Sequence, residues 1–233
     1  MLARELDLLV DDATRPAWSS WLVARFAGAK HRPKTSVDSE LYRRLSELLP
    51  PDRFAPAAAK PVREQTEKMI ANGRVPPPAM MLVAAASDPE PLFDRIVDRA
   101  RVAGEQRDAW IEALGYFPAA FAKRVAALAV DKAELPVEPI WSALHAYFAR
   151  PASRTAAWQA LRDHLATLEK RMPHRANDLV DAAASLCDRT SRDEVAKTFA
   201  HRARVARVLD AIDSCIARRD KLGDLSAALA ASR

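Results

Sequence analysis

Apolar residues along this chain recur at three- and four-residue steps, the spacing of one helix face. The clearest case is the stripe Val205, Val208, Leu209, Ile212, Cys215 and Ile216, with Arg204, Arg207, Arg218 and Arg219 off it. Trp18, Trp21, Leu22 and Phe26 repeat the spacing early in the chain, and Leu41, Leu45, Leu48 and Leu49 repeat it again. The alternation of Val, Ile, Thr and Tyr that strands need is hard to find. Proline and glycine punctuate the pattern. It predicts helices over 2–10, from Pro16 onward, and over 62–72, 77–86, 89–103, 105–116, 118–130, 136–149, 153–171, 176–187, 191–201 and 202–222, with a frayed tail at 224–232. Residues 28–36 read as a basic loop, and the Pro- and Ala-rich stretch 50–61 reads as a connector. Ser87-Asp88-Pro89-Glu90 and Thr190-Ser191-Arg192-Asp193-Glu194 carry helix-start chemistry, with capping oxygens and acids for the first turn.

Composition sharpens this. Ala makes up roughly a fifth of the chain and Gly only 5 of 233 residues, so helices packed closely through small side chains are expected. The expected fold is all-α. Many short antiparallel helices without a writable consensus repeat suggest an α-superhelix of helix pairs, similar to HEAT or armadillo solenoids. Residues 1–233 are then one helical-repeat domain.

Net charge is +5 and Arg far outnumbers Lys, but 31 acidic residues are interspersed among 36 basic ones. That balance fits a mixed solvated surface better than a nucleic-acid footprint. Cys187 and Cys215 have no metal-binding spacing and each sits in an apolar stripe, so both read as buried thiols, a disulfide being the alternative. No run approaches the roughly 18 apolar residues of a membrane span. Early acids Glu5, Asp7, Asp11 and Asp12 replace the basic start of a signal peptide. A cytoplasmic chain is expected, although a longer parent could be exported.

No catalytic constellation emerges. His31, His145, His164, His174 and His201 include no H-E-x-x-H pair, the helical arrangement that binds zinc with two imidazoles one turn apart. Phosphate-cradling glycine loops and nucleophile elbows are absent as well. The Arg-rich patches His31-Arg32-Pro33-Lys34 and His201-Arg202-Ala203-Arg204 with Arg207 could hold an anion, but solvated charge explains them as well. Trp18, Trp110, Trp141 and Trp158 lie in apolar stripes and read as core.

One stretch is more distinctive. Arg150-Pro151-Ala152-Ser153-Arg154, followed by Ala157-Trp158, resembles the N-P-x-G-R-x-x-A-W pattern near the end of the aminopeptidase N and endoplasmic reticulum aminopeptidase family of zinc metallopeptidases. Leu161, Leu165 and Leu168 continue the spacing, and Leu186-Cys187, Asp193-Glu194-Val195 and Phe199-Ala200 are similar to that family's later helices. Upstream, Leu82 through Asp88-Pro89 to Phe93 resembles its A-x-x-x-D-x-x-x-F/L helix pair. The likeness covers about 82–222 and departs at Arg150 for Asn, Ser153 for Gly and Leu165 for Trp. The family's H-E-x-x-H, downstream Glu ligand and G-A-M-E-N loop are all missing.

The resemblance implies a non-catalytic C-terminal domain that packs on a thermolysin-like catalytic domain of the same parent, encloses the substrate chamber and gates peptide access. Zinc would belong to that catalytic domain, with no cofactor in this chain. Arg154 is the matched residue that would contact the peptide substrate. Two rivals remain: a stand-alone helical-repeat scaffold for protein partners, and a HEAT-like DNA glycosylase. The latter would place aromatic and acidic residues together in a groove, a grouping the sequence does not present.

Overall fold

Helix-favouring composition and proline punctuation translate into eleven α-helices and no strand among the described residues. A computed structural model describes residue 10 and residues 15–26, 56–131 and 134–221. The predicted helices at 2–10 and 41–49, the basic loop at 28–36 and the tail at 224–232 lie outside them, apart from Val10. The helices are α1 (Arg15–Phe26), α2 (Pro56–Ala71), α3 (Pro78–Ser87), α4 (Pro89–Val102), α5 (Arg107–Ala113), α6 (Ala122–Asp131), α7 (Val137–Phe148), α8 (Arg154–Arg171), α9 (Ala176–Ala182), α10 (Arg189–Thr198) and α11 (Val205–Lys221).

Several boundaries moved for identifiable reasons. The stretch 50–61 is not a connector throughout, because α2 begins at Pro56 and runs through Pro61. Three alanines favour helix there, and a proline so close to the helix start removes a single ladder bond. The α2 end is a Schellman turn. Gly73 adopts φ 68°, the Arg74 amide donates to the Met69 carbonyl at 2.9 Å and the Gly73 amide to Ile70 at 3.0 Å. The expected helices 105–116, 118–130 and 176–187 are composites, in which 3₁₀ turns at Gly104–Gln106, Leu114–Tyr116, Ala119–Phe121 and Ala183–Ser185 flank the α segments. Asp88 sits at the α4 N-cap position without a side-chain capping bond, although Glu90 does lie in the first turn. The cap of α10 is Asp188, two residues before the expected start at Thr190, and its Oδ1 accepts from the Ser191 amide at 2.8 Å.

Packing runs between near neighbours in the chain. α2 packs on α3, α3 on α4, α4 on α5, α7 on α5 and α6, α8 on α6 and α7, and α11 on α9 and α10. One contiguous core extends from Ile70 to Ile216. Trp18, Trp110, Trp141 and Trp158 are all buried, as expected for core aromatics. Phe93, Phe117 and Phe121 form a cluster with centroids 5.3–5.4 Å apart, joining α4 to the start of α6. The α11 stripe is as predicted, with Val208, Ile212, Cys215 and Ile216 buried and Val205 and Leu209 packed against the core.

A recurring device explains much of the arginine. The last carbonyls of an α-helix have no in-helix donor. Here a guanidinium from elsewhere in the chain supplies one repeatedly. Arg99 donates to Ala71 at the end of α2, and Arg107 to Ala100 in the last turn of α4. Arg150 donates to Gly115 and Phe117 beyond α5. Arg171 reaches Ala129 in α6 and also Leu135, and Arg154 reaches Ser185 beyond α9. A planar fork of N–H groups suits paired carbonyls better than an ammonium does, and its charge also complements the negative helix end.

The cysteines depart from expectation. Cys187 and Cys215 are not thiols but form a disulfide, with Cα atoms 5.3 Å apart. The α9–α10 turn brings Cys187 to the inner face of α11, a juxtaposition of two apolar stripes that spacing along the chain could not reveal.

Candidate functional site

The motif that suggested a peptide contact folds into a junction between helices. Arg150 and Arg154 bracket the 3₁₀ turn Pro151–Ser153 between α7 and α8. Ser153 is buried, and its hydroxyl donates to the Tyr147 carbonyl at 2.8 Å and approaches Arg150 O at 3.2 Å. Its φ of −123° lies in a region open to any L-residue, so this turn needs no glycine. Arg154 is only 6% exposed, with Nε 3.4 Å from the Pro151 carbonyl and Nη1 donating to Ser185 at 2.6 Å. This geometry gives Arg154 a packing role and turns its guanidinium toward backbone rather than solvent.

The other matched residues assemble around it. Ala157 and Trp158 follow on the buried face of α8. The Trp158 indole N–H donates to Glu194 at 2.7 Å, and its ring lies 5.9 Å from that of Phe199. Glu194 is also paired with Arg162 at 2.7 Å. Residues 150–158, 185, 194 and 199, separated in sequence, thus share one knot joining α8, the end of α9, and α10.

A second knot lies beside it. Tyr147 is fully buried and donates its hydroxyl to the Leu114 carbonyl at 2.9 Å. The Arg150 guanidinium stacks over the Tyr147 ring at 4.7 Å while capping Gly115 and Phe117. Burial pushes the Tyr147 hydroxyl well above the usual phenol range, with the neighbouring Arg150 charge opposing it. Burial likewise lowers the Arg150 guanidinium, which Tyr147 and Tyr116 partly offset. Gly115 permits the close approach of the 114–116 turn to α7, since a Cβ there would stand 2.8 Å from both the Ala143 carbonyl oxygen and the Ala146 Cβ.

Among the described residues a groove of about 430 Å³ lies between α4 and α6. Phe93, Val97 and Leu128 supply apolar lining, and Asp94, Asp98, Asp131, Arg101 and Arg124 supply charge. Arg124 stacks on Phe93 at 4.3 Å, pairs with Asp94 at 2.8 Å and forms a short contact with Glu90. Arg101 pairs with Asp98 at 3.1 Å and Glu134 at 3.8 Å. Both guanidinium groups are therefore engaged by carboxylates of this chain. The groove offers a binding surface, and no nucleophile–base pair faces it.

The remaining candidates read as structural. Arg202 and Arg204 pair with Glu169 and Asp181, which ties the start of α11 to α8 and α9. His145 abuts the Trp141 ring at 5.8 Å, and His174 lies 3.9 Å from Glu138 at an exposed site. Among the described residues no group of three His, Cys, Asp or Glu could hold a metal ion. His31, Arg32, Pro33 and Lys34 lie outside the described residues. Missed by sequence reasoning were the carbonyl-capping roles of Arg99, Arg107, Arg150 and Arg171, for which no local signal exists. No helix of the described residues is long and apolar enough to cross a membrane.

Compared with known family models, curated proteins and solved structures, the chain matches none.

Proposed function

We propose that this chain is the non-catalytic helical C-terminal domain of a zinc aminopeptidase. In that reading it packs on a thermolysin-like catalytic domain and gates peptide entry to the chamber between them. The observation that carries the reading is the knot around Trp158. Of the residues chosen for their likeness to the family's terminal pattern, Trp158 meets Glu194 through a hydrogen bond and Phe199 through a ring contact, while Arg154 and Ala157 are buried on the same helix. A chance match along the sequence would not require that.

Neighbour-to-neighbour packing of successive helices supports the further reading that the helices stack as a curved α-superhelix. A curved stack presents a concave side, which suits the wall of a chamber. Peptide contact then falls to residues of that side and not to Arg154, whose guanidinium serves backbone carbonyls. The α4–α6 groove favours one second reading, a scaffold that binds a protein partner there. For the compartment, the disulfide favours an oxidising location over the cytoplasm expected from the early acidic residues.

The test is a peptidase assay with and without a catalytic partner. The chain alone, supplied with zinc, should release no N-terminal amino acid from an aminoacyl anilide. Mixed with the thermolysin-like domain encoded in the same reading frame, it should bind and should slow long peptides more than the anilide. Zinc-dependent release by the chain alone sinks the proposal, as does an upstream reading frame without an H-E-x-x-H domain.

A further inference from the structure

The Cys187–Cys215 bond ties the turn after α9 to the second half of α11. The other attachments of α11 are narrow. It buries a single stripe, Val208, Ile212, Cys215 and Ile216, and no residue from Ala217 to Asp220 is buried. Its polar ties are ion pairs: Arg189 with Asp220 at 3.0 Å and Arg192 with Asp213 at 3.0 Å are exposed, while Arg202 with Glu169 and Arg204 with Asp181 are half-buried and hold its start. The two exposed pairs hold little, so the later turns of α11 are the weakly tied part. Among the described residues its main packing partners are α9, the 183–185 turn and α10, whereas α4 to α8 pack extensively on one another. The disulfide is thus placed on a helix with few other attachments along its later turns.

We propose that α11 is a redox-latched helix, closed over α9 and α10 while Cys187 and Cys215 are joined and released as a unit on reduction. Each cysteine is only 8% exposed, so a thiol reaches the bond when α11 opens locally. The step is thiol–disulfide exchange with a dithiol reductant. Its thiolate attacks one sulfur, the S–S bond breaks and a mixed disulfide forms. The reductant's second thiol then displaces the cysteine. Two electrons and two protons pass to the cysteine pair, leaving two thiols, and the reductant departs as its own cyclic disulfide. Release uncovers the apolar side of α9 and α10. The latch is independent of the aminopeptidase reading and would hold equally in a scaffold.

Hydrogen exchange read by mass spectrometry tests it on the full chain, comparing the oxidised protein, the protein in dithiothreitol, and the Cys187→Ser/Cys215→Ser variant. Amides 205–221 should exchange on the order of a hundredfold faster without the bond, while 89–148 keep their protection. Unchanged protection at 205–221 overturns the proposal. So does an equal loss across 89–221, which would make the bond a staple of the whole fold. Two alkylatable thiols in the purified, unreduced chain would also overturn it.

Discussion

The Arg154 guanidinium donates to the Ser185 carbonyl at 2.6 Å, so the first residue of α8 finishes the helical segment that ends at Ser185. Charged hydrogen bonds of this kind are worth about 1.5–3 kcal/mol, more when their loss strands a buried group. Arg154→Ala should therefore lower the thermal midpoint by roughly 4–10 °C for a chain of this size. Arg154→Lys should recover little of that, because a point charge cannot reproduce the fork. Calorimetry checks both variants, and a midpoint within a degree of the parent protein would refute the packing role.

Gly115 faces a backbone oxygen and a β-carbon that have little room to give. Gly115→Ala should destabilise the chain by about 1–3 kcal/mol through overpacking, even though alanine is the better helix former. The midpoint of urea unfolding reports it. A stabilised variant would mean that α7 lies farther from the 114–116 turn than described.

Tyr147 gives the fold an alkaline limit. Its hydroxyl is neutral in the folded chain well above the ordinary phenol value of about 10, because burial penalises the phenolate. Above pH 10 the unfolded chain has lost that proton while the folded chain retains it. Folding stability contributed here is thus complete below pH 10 and falls as pH rises beyond it. Urea midpoints of the parent protein should decline between about pH 10 and 11.5. Those of Tyr147→Phe should decline less, from a starting value about 1 kcal/mol lower for the lost bond to Leu114.

Glu194 accepts from the Trp158 indole and pairs with Arg162. Glu194→Leu removes both partners' acceptor and should cost about 1–3 kcal/mol. Glu194→Gln can still accept from the indole and should cost less. Chemical denaturation followed by tryptophan fluorescence orders the variants, and equal losses would show that only the charge matters.

Helix identity was legible from the sequence because it depends on local spacing. The α11 stripe from Val205 to Ile216 needs nothing beyond its own residues to be recognised. Boundaries were less legible where a proline could be tolerated, as at Pro61 in α2, or where a 3₁₀ turn replaces the last α turn, as at Leu114–Tyr116. The Cys187–Cys215 bond stayed the lesser alternative for a different reason. Two buried cysteines and a disulfide look alike until the α9–α10 turn and α11 are placed together. Arg154 shows what the motif could not carry: the guanidinium's carbonyl partner Ser185 lies 31 positions away. Only tertiary packing reveals whether such a cation faces a ligand or a carbonyl.

The guanidinium caps have a practical consequence for anyone dividing this chain into smaller pieces. Each serves a helix end from a different segment, so the boundary of a helix and the boundary of a self-sufficient fragment do not coincide. A piece cut after Ala149 would keep the 114–117 turn and lose Arg150, its donor. One cut after Ser153 would keep α6 and lose Arg171, which reaches back to Ala129. Expression boundaries should therefore be drawn one helix beyond the last element wanted, and nested truncations should lose solubility in steps that track the arginines and not the helices.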